Sequence, residues 1–451
     1  MRKSVLGAVV AVLTSATVFG GATAFAATPP PAGTPVTVAV SAANGSQVGT
    51  GFAGFSYEKN QVGLDLFDAS NTSLVNLFRL LGPNVLRIGG NEVDRINFNP
   101  AGAGGLTTEV APSDIVKLGG FLRATGWKVL YGIDLKLNTA ANAAAEAQVA
   151  AQALGHSLIA FEIGNEPDFY DTQAQYEASF ASYVSAIRAV VPNASFDGPS
   201  LAKGTSWDAT FGTDEKANGL TILSDHTYID SAANANIPEM LASTAPGGHL
   251  DTTEAAMQKA QAASGIAQWR MSETNSFFNG GATGVSNVQA ASLWSLNYMA
   301  GIAAHGGAGI NFHGGGTSLY TPITFNGNME TGVQGVYFGQ LLWVLAGTGA
   351  YHAATVTGGT GVTSWAIGRN VFLDNEGTTP ITATVTLPSA AIAGLEFVET
   401  ASSMSATDMT IGGSTVSATG QFRPAPKILP ILGRKVTVTV PAGSAALIDT
   451  L

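Results

Sequence analysis

Residues 158–170 read LIAFEIGNEPDFY. An apolar run, interrupted only by Glu162, leads into Asn165-Glu166-Pro167-Asp168, a turn-forming cluster with a carboxylate at its tip. The run has the length and character of a buried strand, and buried strands carry charge only where it is paired or used. The segments on either side decide which of these holds.

From residue 51 onward one rhythm repeats: an apolar run, a Gly, Asn or Asp break, then a segment with apolar residues at i, i+3 and i+4. The runs are GFAGFSYE (51–58), NVLRIGG (84–90), WKVLYGIDL (127–135), LIAFEIGN (158–165), ASFDGPS (194–200), LTILSDHTY (220–228), AQWRMSET (267–274) and GAGINFHGG (307–315). Between them, segments such as NTSLVNLFRLLG (71–82) and TQAQYEASFASYVSAIRAVV (172–191) follow Asn or Thr caps and keep helical periodicity. Strands alternating with helices predict a parallel sheet with helical crossovers. Eight such units over residues 51–339 match a (β/α)8 TIM barrel in number and size. A doubly wound open sheet is the alternative, but its dinucleotide fingerprint is missing, because GFAGFS opens no helix.

After about residue 350 the rhythm changes to short alternating runs such as GVTSWAIGRN (361–370), VFLDNEG (371–377), PITATVTLP (380–388) and SAALIDTL (444–451). They predict a C-terminal antiparallel β-sandwich domain over residues 340–451. VTVAV (36–40), within a leader segment spanning 27–50, is expected to join it, because a lone strand is not stable. GQFRPAPKILPILGR (420–434) reads as a Pro-rich loop. Residues 1–26 combine Arg2 and Lys3, an apolar stretch and a small-residue site at Ala24-Phe25-Ala26. That is the pattern of a secretory signal, so an exported product with no membrane partner after cleavage is expected. The net charge of −11 leaves little material for a phosphate-binding surface and argues against nucleic acid as a partner. With no cysteine, neither disulfides nor thiolate metal sites are available.

In a barrel of this kind, chemistry sits at the C-terminal ends of the strands. Run four ends in Asn165-Glu166, and run seven carries Glu273 in MSETNS. Both project from the same rim if the chain closes a barrel. Two carboxylates across one cleft suit glycosidic bond cleavage: one gives a proton to the leaving oxygen, the other attacks the anomeric carbon or activates water. This chemistry needs no cofactor, and no metal is expected. The spacing H-E-x-x-H is absent, although a three-histidine set of His226, His305 and His313 is conceivable. The plain alternative makes Glu166 a structural partner of Arg87 or Arg270. Glu162, in phase with Glu166 along the strand, is expected to pair with Arg87, and Asp168 to cap a turn or helix. Trp207 suits either sugar stacking or packing.

FEIGNEPD (161–168) and MSETNS (271–276), together with LRIGGN (86–91) and SDHTY (224–228), resemble glycoside hydrolase family 79, the heparanase and β-glucuronidase group of clan A. The resemblance covers nearly the whole chain after the signal. It implies a retaining exo-β-glycosidase, a β-glucuronidase above all, with a carbohydrate substrate, Glu166 as acid/base and Glu273 as nucleophile. It further implies that Asn165 bonds the sugar 2-hydroxyl, that Tyr228 orients the nucleophile, and that His226 lies beside it. Glu58 and Asn91 match polar positions near the sugar hydroxyls. For a uronate carboxylate, Tyr320 and the backbone N–H groups of Asn279, Gly280 and Gly281 match the family's contacts. Phe278 departs from the pattern, standing where the family has a second tyrosine, and so loses one hydrogen-bond donor. That leaves a neutral-sugar β-glycosidase of the same family as the alternative. A non-catalytic carbohydrate-binding barrel and an adhesion protein acting through the sandwich are the readings from other classes.

Overall fold

The computed structural model describes residues 33–451 apart from residue 317. The signal assigned to residues 1–26, and the start of the 27–50 leader, lie outside the described residues. Eight parallel strands close a barrel in chain order: Ala53–Glu58, Val85–Gly89, Lys128–Ile133, Leu158–Ile163, Phe196–Pro199, Leu220–Ser231, Gln268–Phe278 and Ile310–Gly314, with the eighth pairing back to the first. All eight sequence runs are barrel strands, and the fold is a TIM barrel. The helices between them start where the capping residues stand. Asn71 accepts from the Leu74 N–H ahead of Thr72–Leu80, and Thr172 forms a capping box with Gln175 ahead of Gln173–Val190.

Strand alternation sorts side chains into two sets. Outward residues such as Phe55, Tyr57, Tyr131, Phe161 and Trp269 pack under the helices in the main core. Inward residues form layers. Val85, Leu130, Ala160 and Ile222 make an apolar plug at the lower end. Arg270 lies at the same end, donating to Asn311 Oδ1 at 2.8 Å, to the Ile310 carbonyl at 3.3 Å and to the Gly51 carbonyl. Those carbonyls open strands one and eight, so Arg270 is not the partner of Glu166 that its place in the sequence allowed. Above the plug the lining becomes polar, with Ser56, Arg87 and Glu162.

Strand seven departs from strict alternation. Asp225 of strand six pairs with Met271, but His226 pairs with Glu273, leaving Ser272 as the extra residue of a bulge. Period-two counting from Trp269 and Met271 would send Glu273 outward under the helices. The bulge turns both Ser272 and Glu273 inward. Strands six and seven then continue together to Ser231 and Phe278, rising past the rim as a two-stranded wall.

The second sheet system contains Thr34–Val40, Gly349–Thr357, Val362–Ile367, Asn370–Asn375, Ile381–Thr400, Lys427–Val440 and Ser444–Thr450. Thr34–Val40 pairs antiparallel with Gly349–Thr357 and parallel with the first half of Ile381–Thr400, so one ladder is not antiparallel. The second half of that long strand pairs with Ser444–Thr450, which carries it from one layer to the other. Two expectations need correction. The Pro-rich stretch after residue 426 is not a loop: Lys427–Val440 pairs along Ile381–Thr400 as an edge strand, where the N–H that Pro430 lacks is not required. The boundary at 339/340 cuts the helix Gly335–Leu345, and the sheet resumes only at Gly349.

The sandwich shares its core with the barrel. Ala366, Val371, Leu373, Ala446 and Ile448 face the sandwich interior. Their neighbours Trp365, Ile367, Phe372 and Leu447 face the barrel core. Phe52 stacks on Trp343 at 5.1 Å, Trp343 on Phe372 at 5.7 Å, and Phe372 on Trp365 at 5.2 Å, a continuous aromatic column across the junction. No helix among the described residues is long and apolar enough to cross a membrane.

The same junction holds three carboxylates, Glu399 and Asp374 buried and Glu376 half-buried, with no lysine or arginine partner among the described residues. Glu399 accepts from Gln289 Nε2 at 2.8 Å, while Asn297 Nδ2 donates to Asp374 at 3.2 Å and to Glu376 at 2.9 Å. Burial raises Glu399 to about 8 and Glu376 to about 7, and it pushes Asp374 well above the ordinary range. The unfolded chain releases these protons near the usual carboxylate pKa, whereas the native protein holds them until nearly neutral pH. Their contribution to stability is therefore complete in acid and is lost as pH rises through about 7 to 8. Melting temperature should fall as pH rises from the usual carboxylate range to about 8 and level off above it, and Glu399→Gln should flatten that fall.

Candidate active site

Arg87 in strand two points up the barrel axis and organises the site. Its Nε donates to Glu162 Oε1 at 2.8 Å, and Nη2 donates to the same oxygen and to Asn165 Oδ1 at 2.9 Å. Nη1 reaches Glu273 Oε2 at 2.6 Å and Ser56 Oγ at 3.2 Å. The side chain is fully buried. It can fold across the barrel because residue 89 is glycine: a Cβ there would stand 2.0 Å from the guanidinium carbon. The Arg87–Glu162 pair is the one that alternation along strand four predicted.

Glu273 is buried and bound on both oxygens. Oε1 accepts from the Tyr228 hydroxyl at 2.8 Å, Oε2 from Arg87, and His313 Nδ1 lies 3.6 Å from Oε2. Burial opposes ionisation of Glu273. The charges of His313 and Arg87, with the Tyr228 hydrogen bond, outweigh it and hold the carboxyl well below the usual range. Tyr228 is pushed the other way, up, by burial and by the Glu273 charge, so it stays a hydrogen-bond donor.

Glu166 follows strand four in a left-handed backbone conformation, φ +48°, fixed by its N–H donating to the Ser200 carbonyl at 3.1 Å. A non-glycine residue held there is strained, and the turn aims its side chain into the cleft. His226 lies between Glu166 and Arg87. Its Nδ1 is 3.1 Å from Glu166 Oε1, and its Nε2 is 3.3 Å from Arg87 Nη2. A guanidinium only donates, so Nε2 accepts, and neutral His226 carries its proton on Nδ1, facing Glu166. Neither Arg87 nor Arg270 forms an ion pair with Glu166. One oxygen of Glu166, one of Glu273 and a ring nitrogen of His226 all lie within 4.8 Å of one another. Such a trio has ligand types that suit a cation, but the second carboxylate is already neutralised by Arg87.

Asn165 is buried beside them, with Oδ1 on Arg87 and its N–H on Asp94 Oδ2 at 3.1 Å. Glu58 ends strand one. Its Oε2 accepts from the Glu92 N–H at 2.8 Å, and its Oε1 is 3.6 Å from His313 Nε2. Gly90, at φ +71°, makes room for it, since a Cβ would meet Glu58 Oε2 at 2.2 Å. Asn91 is exposed at the end of strand two and joins none of these contacts. Tyr320 is buried with its ring 6.1 Å from Tyr228 and 6.2 Å from His313. Phe278 stands 43% exposed at the top of the strand-seven wall, edge-on to Tyr228. In the turn beyond it, Asn279 and Gly280 have positive φ, and the Gly280 carbonyl accepts from the Leu319 N–H at 2.6 Å. The Gly281 N–H is taken by the Phe277 carbonyl at 3.1 Å, so it is not free for a ligand; those of Asn279 and Gly280 have no partner among the described residues.

His313 sits between Glu58 and Glu273 and shares a hydrogen bond with Ser56 Oγ at 3.1 Å. Burial works against its charge, but Glu273 and Glu58 outweigh this and raise its pKa above the ordinary imidazole value. Sequence reasoning missed Ser56, Asp94 and the Arg87–Glu273 contact. Arg87 was findable, since it stands in the inward phase of run two. The three-histidine set does not form: His305 lies elsewhere, on Asp251. Trp207 packs on Tyr176 at 6.2 Å. Asp168 accepts from the N–H groups of Ala202 and Lys203 at 3.1 and 2.7 Å, tying the loops after strands four and five.

No family model matches the chain. It is 24% identical over 325 residues to a β-glucuronidase of Aspergillus niger, a match covering 60% of this chain and 59% of that relative's length. Among solved structures, it is similar to a 4-O-α-L-rhamnosyl-β-D-glucuronidase of Fusarium oxysporum in its Rha-GlcA complex, with TM-score 0.77 and 22% identity over 92% of this chain and all of the other. A family 51 α-L-arabinofuranosidase of Bifidobacterium longum gives TM-score 0.70 at 15% identity, covering 92% of this chain and 99% of that one. The two structural likenesses extend over barrel and sandwich together.

Proposed function

We propose that the chain is a retaining exo-β-glycosidase of the family 79 type, exported, and acting on terminal β-D-glucuronides. The observation that carries this is the approach of Glu166 and Glu273 oxygens to within 4.8 Å across the rim. Retaining enzymes hold their carboxyl groups about 5–5.5 Å apart, whereas inverting pairs stand about 6.5–9.5 Å apart to admit a water. The electrostatics support the division of roles. Glu273 is kept ionised by cations and a phenol, as a nucleophile requires, while Glu166 faces the His226 imidazole and no Lys or Arg.

Glu273 attacks C1 as the bond from C1 to the aglycone oxygen breaks, and Glu166 delivers its proton to that oxygen. Glu166, now a carboxylate, takes a proton from water, whose oxygen bonds C1 and releases Glu273. Esterification removes the Glu273 charge between the steps, and with it the repulsion on Glu166. Asn165 stands beside the acid, suited to the 2-hydroxyl, and Glu58 to a neighbouring hydroxyl. The wall of strands six and seven supports action at a chain end. For the uronate, Tyr320 and the N–H groups of Asn279 and Gly280 supply donors. The named relatives that act on glucuronides support the same substrate. Phe278 favours the second reading, a neutral-sugar β-glycosidase, because its ring offers no donor beside those groups.

A panel of p-nitrophenyl β-glucuronide, β-glucoside, β-galactoside and β-xyloside tests the substrate: the glucuronide should be cleaved fastest. Phe278→Tyr should raise the glucuronide-to-glucoside ratio by about tenfold, the effect of one charge-assisted hydrogen bond worth about 1.5 kcal/mol. A faster glucoside and an unmoved ratio would establish the neutral-sugar reading instead. Tyr228→Phe removes a donor from Glu273, so kcat should fall about tenfold or more. The same change raises the nucleophile's pKa, and the acidic limb of the kcat/KM profile should move to higher pH.

A further inference from the structure

Outside the cleft, a second group of ligand-type side chains converges on one point. Asp251 and Glu254 lie one helical turn apart on His249–Ser264, and His305 caps the end of Gln289–Ala304. Asp251 Oδ1 is 3.1 Å and Glu254 Oε2 3.9 Å from His305 Nε2, and all three atoms lie within 4.8 Å of one another. His305 Nδ1 faces Gln258 Oε1 at 3.4 Å. That amide oxygen only accepts, so it holds a proton on Nδ1 once Nε2 gives up the proton it shares with Asp251 and turns its lone pair to a metal.

Glu254 is the unusual member. It is 2% exposed, and among the described residues its carboxylate has no hydrogen bond and no Lys or Arg partner. An uncompensated carboxylate is costly to bury. The neighbouring helix makes space for it: Gly301 lies in the helix interior, where glycine costs about 0.5–1 kcal/mol relative to alanine. A Cβ at Gly301 would meet Glu254 Oε2 at 2.4 Å.

We propose that Asp251, Glu254 and His305 bind one divalent transition-metal ion, with Zn2+ the best match, and that the ion clamps the two helices together. One imidazole and two carboxylates are a borderline ligand set of the kind Zn2+ takes. Ligands about 2.0–2.1 Å from a tetrahedral ion stand about 3.3 Å from each other, close to the separations here, and the half-exposed Asp251 and His305 leave a fourth position open to water. The ion would sit away from the chemistry: the His305 carbonyl accepts from Trp269 Nε1 at 3.3 Å, at the start of strand seven, not at the rim. Its role is stability of this side of the barrel, because anything that binds only the folded state stabilises it.

Chelator-treated full-length protein titrated with Co2+ should bind one equivalent with the visible d–d absorption of a four-coordinate ion, lost on adding Zn2+. Zn2+ should raise the melting temperature. His305→Ala and Asp251→Asn should abolish the absorption and the rise, with circular dichroism and glycoside hydrolysis unchanged. Glu254→Gln should also abolish binding, while leaving the metal-free melting temperature equal or higher, since it removes a buried charge. A Co2+ spectrum that survives His305→Ala but disappears in Glu166→Gln would refute the assignment, as would no uptake by the wild type or a metal-independent loss of stability in Glu254→Gln.

Discussion

One buried guanidinium bridges the two halves of the rim. Arg87 touches Glu162 and Asn165 of the strand-four segment, Ser56 of strand one, His226 of strand six and Glu273 of strand seven. Its single positive charge faces two buried carboxylates, so its loss would leave both uncompensated, a larger penalty than the pair itself is worth. The contact also sets geometry. By holding Asn165 and His226 from one side and Glu273 from the other, Arg87 fixes the gap in which an anomeric carbon has to fit. Preorganisation of this kind, in place before substrate arrives, is where most electrostatic catalysis comes from.

The rest of the fold can be understood as support for that contact. The apolar plug of Val85, Leu130, Ala160 and Ile222 seals the barrel below it, and Gly89 and Gly90 clear space for Arg87 and Glu58. The strand-seven bulge turns Glu273 to meet it. Farther out, the aromatic column from Phe52 to Trp365 joins barrel and sandwich into one core, and strand Thr34–Val40 ties the chain's beginning to its end. A chain without cysteine depends on such shared packing. Its junction carboxylates suit an acidic medium, the same conditions under which a depressed Glu273 stays ionised.

The strands were legible because period-two runs bounded by Gly and Asn survive translation into structure, and both glutamates were legible because strand ends are where barrel chemistry lies. Finer features were not. Counting phases from Met271 gives the wrong side for Glu273, since a bulge leaves no mark in residue type. Pro430 reads as a breaker because sequence does not reveal which strand will be an edge. Nothing in the sequence marks Glu399, Asp374 or Glu254 as buried, and only the packing around them shows it. The partners of Arg87 come from four separate segments, and no local pattern joins them. Family likeness located Glu58 and Tyr228 within the cleft but also nominated Asn91, which points to solvent and contacts none of the others.

The claim on which the account turns is that Glu273, held ionised by Arg87 and Tyr228, bonds directly to the sugar. The most direct measurement is mass spectrometry of peptides from enzyme treated with an activated 2-deoxy-2-fluoro-β-glucuronide, which slows the second step and accumulates the glycosyl-enzyme. The account predicts one sugar per chain, carried by the peptide containing Glu273 and absent in Glu273→Gln. Turnover of the reagent with no adduct and an inverted product, or a label on Glu166, would contradict it.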